Sequence, residues 1–427
     1  MKMLKDIPLT RSLFRLTTAL LLAKSISITS AATVTVANSN DSGAGSLRQA
    51  ILSAVSGDTI QFNADLSGAV IVLTNGHLLL NKSLTINAAT LPAGITISGN
   101  NSNRVMQISS SSVVNLRNLN IRDGYAPDAM YPDNAGGGIL NLGTLTLTNC
   151  TVANNQALLG IDPGGGAIEN NSASLILHNC TLSGNLTSGF GGAIENYGES
   201  TLTISQSTIA GNFASTGGGL HNEGIHNKPA LIIANQSTLA GNSASIGGGV
   251  YNSSTFKLFN SVLAGNNSGI GMNLNNSDTF SPTGVNLTNG NPLLAPLGNY
   301  GGPTQTRPPL IGSPALNAAA PISLTSDQRG LPRPLGSGPD IGAVEGAFNL
   351  AMPLSNTRLE NGLFRFAFTN LSGPAYTVLA SPDTALSLDN WSNLGVAVET
   401  PPGSGQFQFT DPQATNNPQR YYLIRSP

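Results

Sequence analysis

GGAIEN stands at Gly165–Asn170 and again at Gly191–Asn196, with near-copies GGGILN at Gly136–Asn141, GGGLHN at Gly217–Asn222 and GGGVYN at Gly247–Asn252. The five phrases start at residues 136, 165, 191, 217 and 247, steps of 29, 26, 26 and 30. A second phrase follows each: NCTVANN from Asn149, NCTLSGN from Asn179, QSTIAGN from Gln206, QSTLAGN from Gln236 and NSVLAGN from Asn260. Self-similarity at such a period marks stacked supersecondary units, each too small to bury its apolar side chains alone. Within a unit, as in TLTIS (Thr201–Ser205), apolar residues alternate over short runs, which is strand periodicity. Three runs per period predict a coil with three short parallel faces, with equivalent residues stacked in columns.

Two of those columns are asparagines. Asn141, Asn170, Asn196, Asn222 and Asn252 form one expected ladder, and Asn155, Asn185, Asn212, Asn242 and Asn266 another. A side-chain amide can donate along a column in one direction and accept from the other, so such a ladder satisfies itself. Cys150 and Cys180 hold equivalent positions in adjacent units, about 4.8 Å apart in stacked strands. That spacing suits a disulfide; a pair of buried thiols is the alternative. The phrase's fifth residue forms a column of chemical interest: Leu140, Glu169, Glu195, His221, Tyr251. Following an inward Ile or Leu, it is expected to face outward. Glu169 and Glu195 could then serve as paired carboxylates of a glycosidase, with His221 beside them as a further catalytic candidate. Glu169, Glu195, His221 and Tyr251 could instead bind sugar hydroxyls, or be a solvated strip without a partner. No metal or cofactor is expected.

Composition bounds the rest. Of 427 residues only 9% are charged while 40% are hydrophobic, so Asn, Ser, Thr and Gly must cover much of the surface. The net charge of −2 offers no footprint for nucleic acid. Forty-nine glycines and twenty-five prolines predict many turns and few helices. At the N-terminus, Lys2, Lys5, Arg11 and Arg15 precede an apolar Leu16–Ala23 and the small residues Ser30-Ala31-Ala32, the pattern of an export signal over residues 1–32. No later stretch is apolar for long enough to predict a transmembrane helix, and a monomer is expected. Ser46 is the expected cap of a short helix carrying Leu47, Ala50, Ile51, Ala54 and Val55, placed to cover the open N-terminal end of the coil. Tyr125–Ala135 reads as a loop projecting from the coil.

These motifs carry resemblances. GGAI followed by an apolar-x-x-Asn phrase resembles the GGA(I/L/V) and FxxN repeats of chlamydial polymorphic outer membrane proteins, with Val152, Leu182, Ile209, Leu239 and Leu263 at the Phe position. The resemblance implies a right-handed parallel β-helix, the pectin-lyase-like fold, and adhesion as a function. SLRQAI (Ser46–Ile51), within DSGAGSLRQAILSAVSGDTIQF (Asp41–Phe62), is similar to the N-terminal region of bacterial surface β-helix proteins. Residues 291–346 carry GGPT (Gly301–Thr304), GSPA (Gly312–Ala315), DQRG (Asp327–Gly330), Arg333 and DIGAVE (Asp340–Glu345). This run resembles the bacterial choice-of-anchor Q segment, which implies surface attachment through a C-terminal module. Its Asp327, Arg329, Arg333, Asp340 and Glu345 are expected to form a salt-bridged cap closing the helix.

From residue 351 to 427, FRFAF (Phe364–Phe368), YTVLAS (Tyr376–Ser381), FQFTD (Phe407–Asp411) and RYYLIR (Arg420–Arg425) read as strands of a small C-terminal β-sandwich, for sorting, anchoring or binding. The expected architecture is all-β: a right-handed parallel β-helix solenoid over 33–290 with an N-terminal capping helix, then the 291–346 segment and the sandwich. The expected function is adhesion or polysaccharide binding by a secreted or cell-surface protein, with glycans or matrix components as partners. A polysaccharide lyase or glycoside hydrolase and a structural surface spacer are the alternatives.

Overall fold

The computed structural model describes residues 31–225, 227–348, 354–384, 386, 390–416 and 419–425. Of the export-signal reading, only Ala31 and Ala32 fall within the described residues. The molecule is an all-β parallel solenoid followed by a small antiparallel β region.

The solenoid has four parallel sheets rather than the three faces expected. A ten-stranded sheet runs from Thr33–Val36 to Thr279–Thr283 and carries the TLTIS-type strands. One eight-stranded sheet carries the GGAIEN phrases and another the NCTV-type phrases. The fourth, of five strands, starts at Gln156–Ala157 and ends at Asn267–Ile270. It forms because the residues after the second asparagine of each unit also pair in register, as Phe213 does with Ser243 and Ala214 with Ala244. Register elsewhere follows the repeats residue for residue, for instance Ile168↔Ile194, Glu169↔Glu195 and Asn170↔Asn196. Inward Leu, Ile and Val side chains from every rung build one continuous core.

Both asparagine ladders are present. Asn141 Nδ2 donates to Asn170 Oδ1 at 2.7 Å, and the line runs through Asn196, Asn222 and Asn252 to Asn276. In the second, Asn155 donates to Asn185 at 3.0 Å, and the line passes through Asn212, Asn242 and Asn266 to Asn273. There each Oδ1 from Asn185 to Asn273 also accepts the backbone N–H of the preceding asparagine in the ladder, as Asn185 does from Asn155 at 3.0 Å. The side chains of Asn155, Asn185, Asn212, Asn242 and Asn266 are buried, so these bonds remove a desolvation cost that no water could relieve.

Cys150 and Cys180 are free, buried thiols, so the disulfide expectation is corrected. Each Sγ instead donates to backbone carbonyls, Cys150 to Leu116 and Thr148, Cys180 to Leu147 and His178, at 3.2–3.4 Å. Burial pushes the Cys150 thiol up to about 11, which keeps it a small unreactive apolar group.

At the N-terminal end the helix Leu47–Ser53 is capped by Ser46, whose hydroxyl accepts from Gln49 N–H at 3.1 Å. Its Leu47, Ala50 and Ile51 join the solenoid core. Val55 lies outside it and is exposed.

The 291–346 segment runs back along the side of the coil instead of crossing its final turn. Asn260 Nδ2 donates to Ala320 O, Thr238 Oγ1 accepts from Ala343 N–H, Thr208 bonds Gln328, and Thr304 donates to Asn179 O. The physical reason is the column Thr181, Thr208, Thr238, whose hydroxyls line one lateral sheet and give an irregular backbone something to bond. Four of the segment's charges are buried and paired, Arg329 with Asp327 at 2.7 Å and Arg333 with Glu345 at 3.1 Å, whereas the buried Asp340 accepts the N–H groups of Asn317 and Gly346 in place of the expected ion pair. Glu345 also accepts the N–H groups of Asp340 and Leu335.

The C-terminal region pairs Ser355–Glu360, Leu363–Thr369, Gln406–Asp411 and Val398–Glu399 in one antiparallel sheet. Ser392–Val396, Thr377–Ser381 and Tyr421–Arg425 form a second. Phe366, Phe368, Phe407 and Tyr376 fill the space between them and join Tyr300 and Phe348 of the preceding segment in one core. Among the described residues no helix is long and apolar enough to cross a membrane.

Candidate functional site

The phrase's fifth column is assembled in register, Leu140↔Glu169↔Glu195↔His221↔Tyr251. The column leaves the core as expected but is not open to solvent. Glu169 is 0% exposed, Glu195 5% and His221 2%. The side chains do point away from the core, but three features cover them. Gly164 lies so close that a Cβ there would stand 1.6 Å from Glu195 Oε2 and 2.6 Å from Glu169 Oε2. Tyr131 Oη donates to Glu169 Oε1 at 3.4 Å. The Phe190 ring stacks on His221 with centroids 4.7 Å apart, and Tyr251 stacks on its other face at 5.0 Å.

The loop holding Tyr131 folds onto the coil because Arg104 anchors it. This guanidinium is fully buried, pairs with Asp133 at 3.1 Å, and donates to the carbonyls of Ala135 at 2.9 Å and Gly136 at 3.1 Å. Tyr125–Ala135 is therefore a cover, not a projection.

Electrostatics follow from that enclosure. Burial raises both glutamic acids, Glu195 to about 8, and the neighbouring Glu195 charge raises Glu169 further. Two buried carboxylates one rung apart cannot both ionise, so burial and mutual repulsion hold the pair toward its protonated forms. Burial pulls His221 down to about 4, so its ring is neutral, with Nδ1 3.4 Å from Glu195 Oε1. Glu169 Oε2 and His221 Nδ1 make no well-aligned hydrogen bond. Among the described residues no cluster of His, Cys, Asp and Glu is arranged to hold a metal ion.

Glycosidase chemistry needs one carboxyl to reach the leaving oxygen and the other to reach the sugar or a water. In the observed arrangement a polymer reaches neither. The sequence reading found the column but missed its covers. The column just before the GG pair carries the signal: Gly164, Phe190, Thr216 and Ile246 stack there, and only Gly leaves room for two carboxyls.

An open site lies on another face. The lateral sheet that the 291–346 segment partly covers is left free on its earlier rungs. There Thr96, Asn120 and Thr151 stack in one outward column, and Ser98, Arg122, Ala153 and Ser183 in the next. Residues 299–305 wall this groove of about 500 Å³ at the rung of Thr181, whose hydroxyl donates to Gln305 O. Arg122 is half exposed and pairs with Asp123 at 3.1 Å. Its floor is therefore hydroxyl, amide and one guanidinium.

Fold and groove together define an all-β parallel solenoid protein with a polar lateral cleft. The crystal structure of pectate lyase Pel9A is similar to this chain at 15% identity with a TM-score of 0.36, over 75% of this chain and 97% of that one. No family model matches the chain, and no curated protein matches it.

Proposed function

We propose that this chain is a secreted or cell-surface β-helix protein that binds polysaccharide in the lateral groove. The observation that carries the reading is the groove itself, an open trough of about 500 Å³ floored by Thr96, Asn120, Thr151, Arg122 and Ser183. Rungs stack about 4.8 Å apart, so a polymer lying along the solenoid axis meets a hydroxyl or amide of the Thr96, Asn120, Thr151 column at each step. A polysaccharide offers matching hydroxyls.

In this reading Glu169, Glu195 and His221 hold Tyr131 and Phe190 in place and do not touch the ligand, while Tyr251 is the ring on which His221 rests. The resemblance of residues 291–346 to choice-of-anchor Q segments supports surface attachment, with the C-terminal sheets as the attaching or binding module. The test is binding of the full chain to a panel of neutral and acidic polysaccharides, with an assay of the same mixtures for new reducing ends and unsaturated products. Saturable binding without product formation is expected. Steady product release that E195Q abolishes would replace this reading with the hydrolase or lyase alternative.

A further inference from the structure

The C-terminal four-stranded sheet has one apolar and one polar face. Along Leu363–Thr369, Phe364, Phe366 and Phe368 alternate with Arg365, Ala367 and Thr369, and Gln406–Asp411 alternates in the same way. The phenylalanines fill the core. Across the other face, Arg358 pairs directly with Arg365, and Arg365 with Thr410. One row over, Ala367 pairs with Gln408. Directly opposed residues of an antiparallel pair share a face with Cβ atoms about 5 Å apart, so the two arginine side chains leave the same face from adjacent positions.

Like charges in that position are destabilising, and the local compensation is partial. Arg358 Nε lies 3.5 Å from Glu360 Oε2, both side chains being more than half exposed. Arg365 Nε is buried and has no hydrogen-bond partner. A groove of about 480 Å³ opens over the pair, with Gln408 and Thr410 on its floor.

We propose that this groove binds the oxyanion of an acidic polysaccharide, a carboxylate or sulfate held by the forks of Arg365 and Arg358. A guanidinium presents paired N–H donors that match two oxygens of such a group. The anion relieves the Arg358–Arg365 repulsion. Gln408 and Thr410 supply the amide and hydroxyl that sugar hydroxyls pair with. The outward row across these strands holds no aromatic ring, which sets it apart from single-stranded nucleic-acid sites, where bases stack.

The proposal rests on polysaccharide binding as the function of the chain, and it adds the ligand's charge and a second site. The experiment uses the full chain and three polymers with one backbone: neutral dextran, carboxymethyl-dextran and dextran sulfate, titrated by calorimetry at low and moderate salt. The expected result is tighter binding of at least one charged polymer than of dextran. R365Q is expected to remove about tenfold of that affinity, R365K part of it, and neither to alter dextran binding. The order of the two charged polymers identifies the oxyanion. Equal affinity for all three, or charged-polymer binding untouched in R358Q/R365Q, would overturn this site and leave the solenoid groove standing. Binding of a single-stranded oligonucleotide more tightly than any dextran would also overturn it. No binding of any polymer overturns both readings.

Discussion

Asn196 makes the residue-scale logic of the solenoid concrete. Its Oδ1 accepts from Asn170 Nδ2 at 2.7 Å and its Nδ2 donates to Asn222 Oδ1 at 2.8 Å, with no exposure to water. Asn196→Ala strands one donor and one acceptor, at about 1–3 kcal/mol each, and urea unfolding should show that loss. The buried acids make a pH prediction. Glu195 titrates near 8 in the folded chain against an ordinary 4.5, and Glu169 is raised with it. Folding therefore takes up protons between those values. The stability of the neutral pair is complete below pH 4.5 and lost as pH rises through 8. His221, lowered from 6.5 to about 4, acts oppositely, and its contribution is lost as pH falls through that window. Above pH 6.5 only the glutamates' trend remains, so thermal stability should fall from pH 6.5 to 8.5. E195Q should flatten that slope; an unchanged slope would refute the account of a neutral buried pair. Gly164→Ala should cost about 1–3 kcal/mol through overpacking, because its methyl would meet Glu195 Oε2 at 1.6 Å.

At the scale of elements, the 291–346 segment shows how charge is used where the solenoid avoids it. Arg329 pairs with Asp327 and also donates to Ser372 O at 2.9 Å and Glu345 O at 2.7 Å, joining the segment to the C-terminal sheets. Arg329→Met leaves Asp327 buried and unpaired. Breaking such a pair costs about 3–5 kcal/mol, and limited proteolysis should then cut the stretch after Gly346 faster than in the wild type. The strands, their register and both ladders were legible in the sequence, because equivalent positions of each unit carry the same residue type. The fourth sheet was harder to read, since NQALLG, NLTSGF, NFASTG and NSASIG share little beyond the leading asparagine. The cover over the Glu169 column was not legible. Strand alternation tells which side chains leave the core, but it carries no information about what then lies on top of them. Tyr131 reaches Glu169 from 38 residues away, and Arg104 sets the covering loop through carbonyls 31–32 residues distant.

For the whole molecule, the division of surface follows from which columns are occupied. One lateral sheet is shared between the 291–346 segment, which bonds Thr181, Thr208 and Thr238, and the open groove over Thr96, Asn120, Thr151 and Arg122. The same column of hydroxyls and amides serves structure on later rungs and is left free on earlier ones. The most direct measurement is the polysaccharide affinity of the full chain carrying N120A/R122A, set beside that of E195Q. The account predicts at least a tenfold loss in the groove variant, the order expected when a ligand's polar groups lose their partners, with E195Q binding like the wild type. Retained affinity in N120A/R122A together with lost affinity in E195Q would contradict it, and would move the functional site to the covered glutamate column.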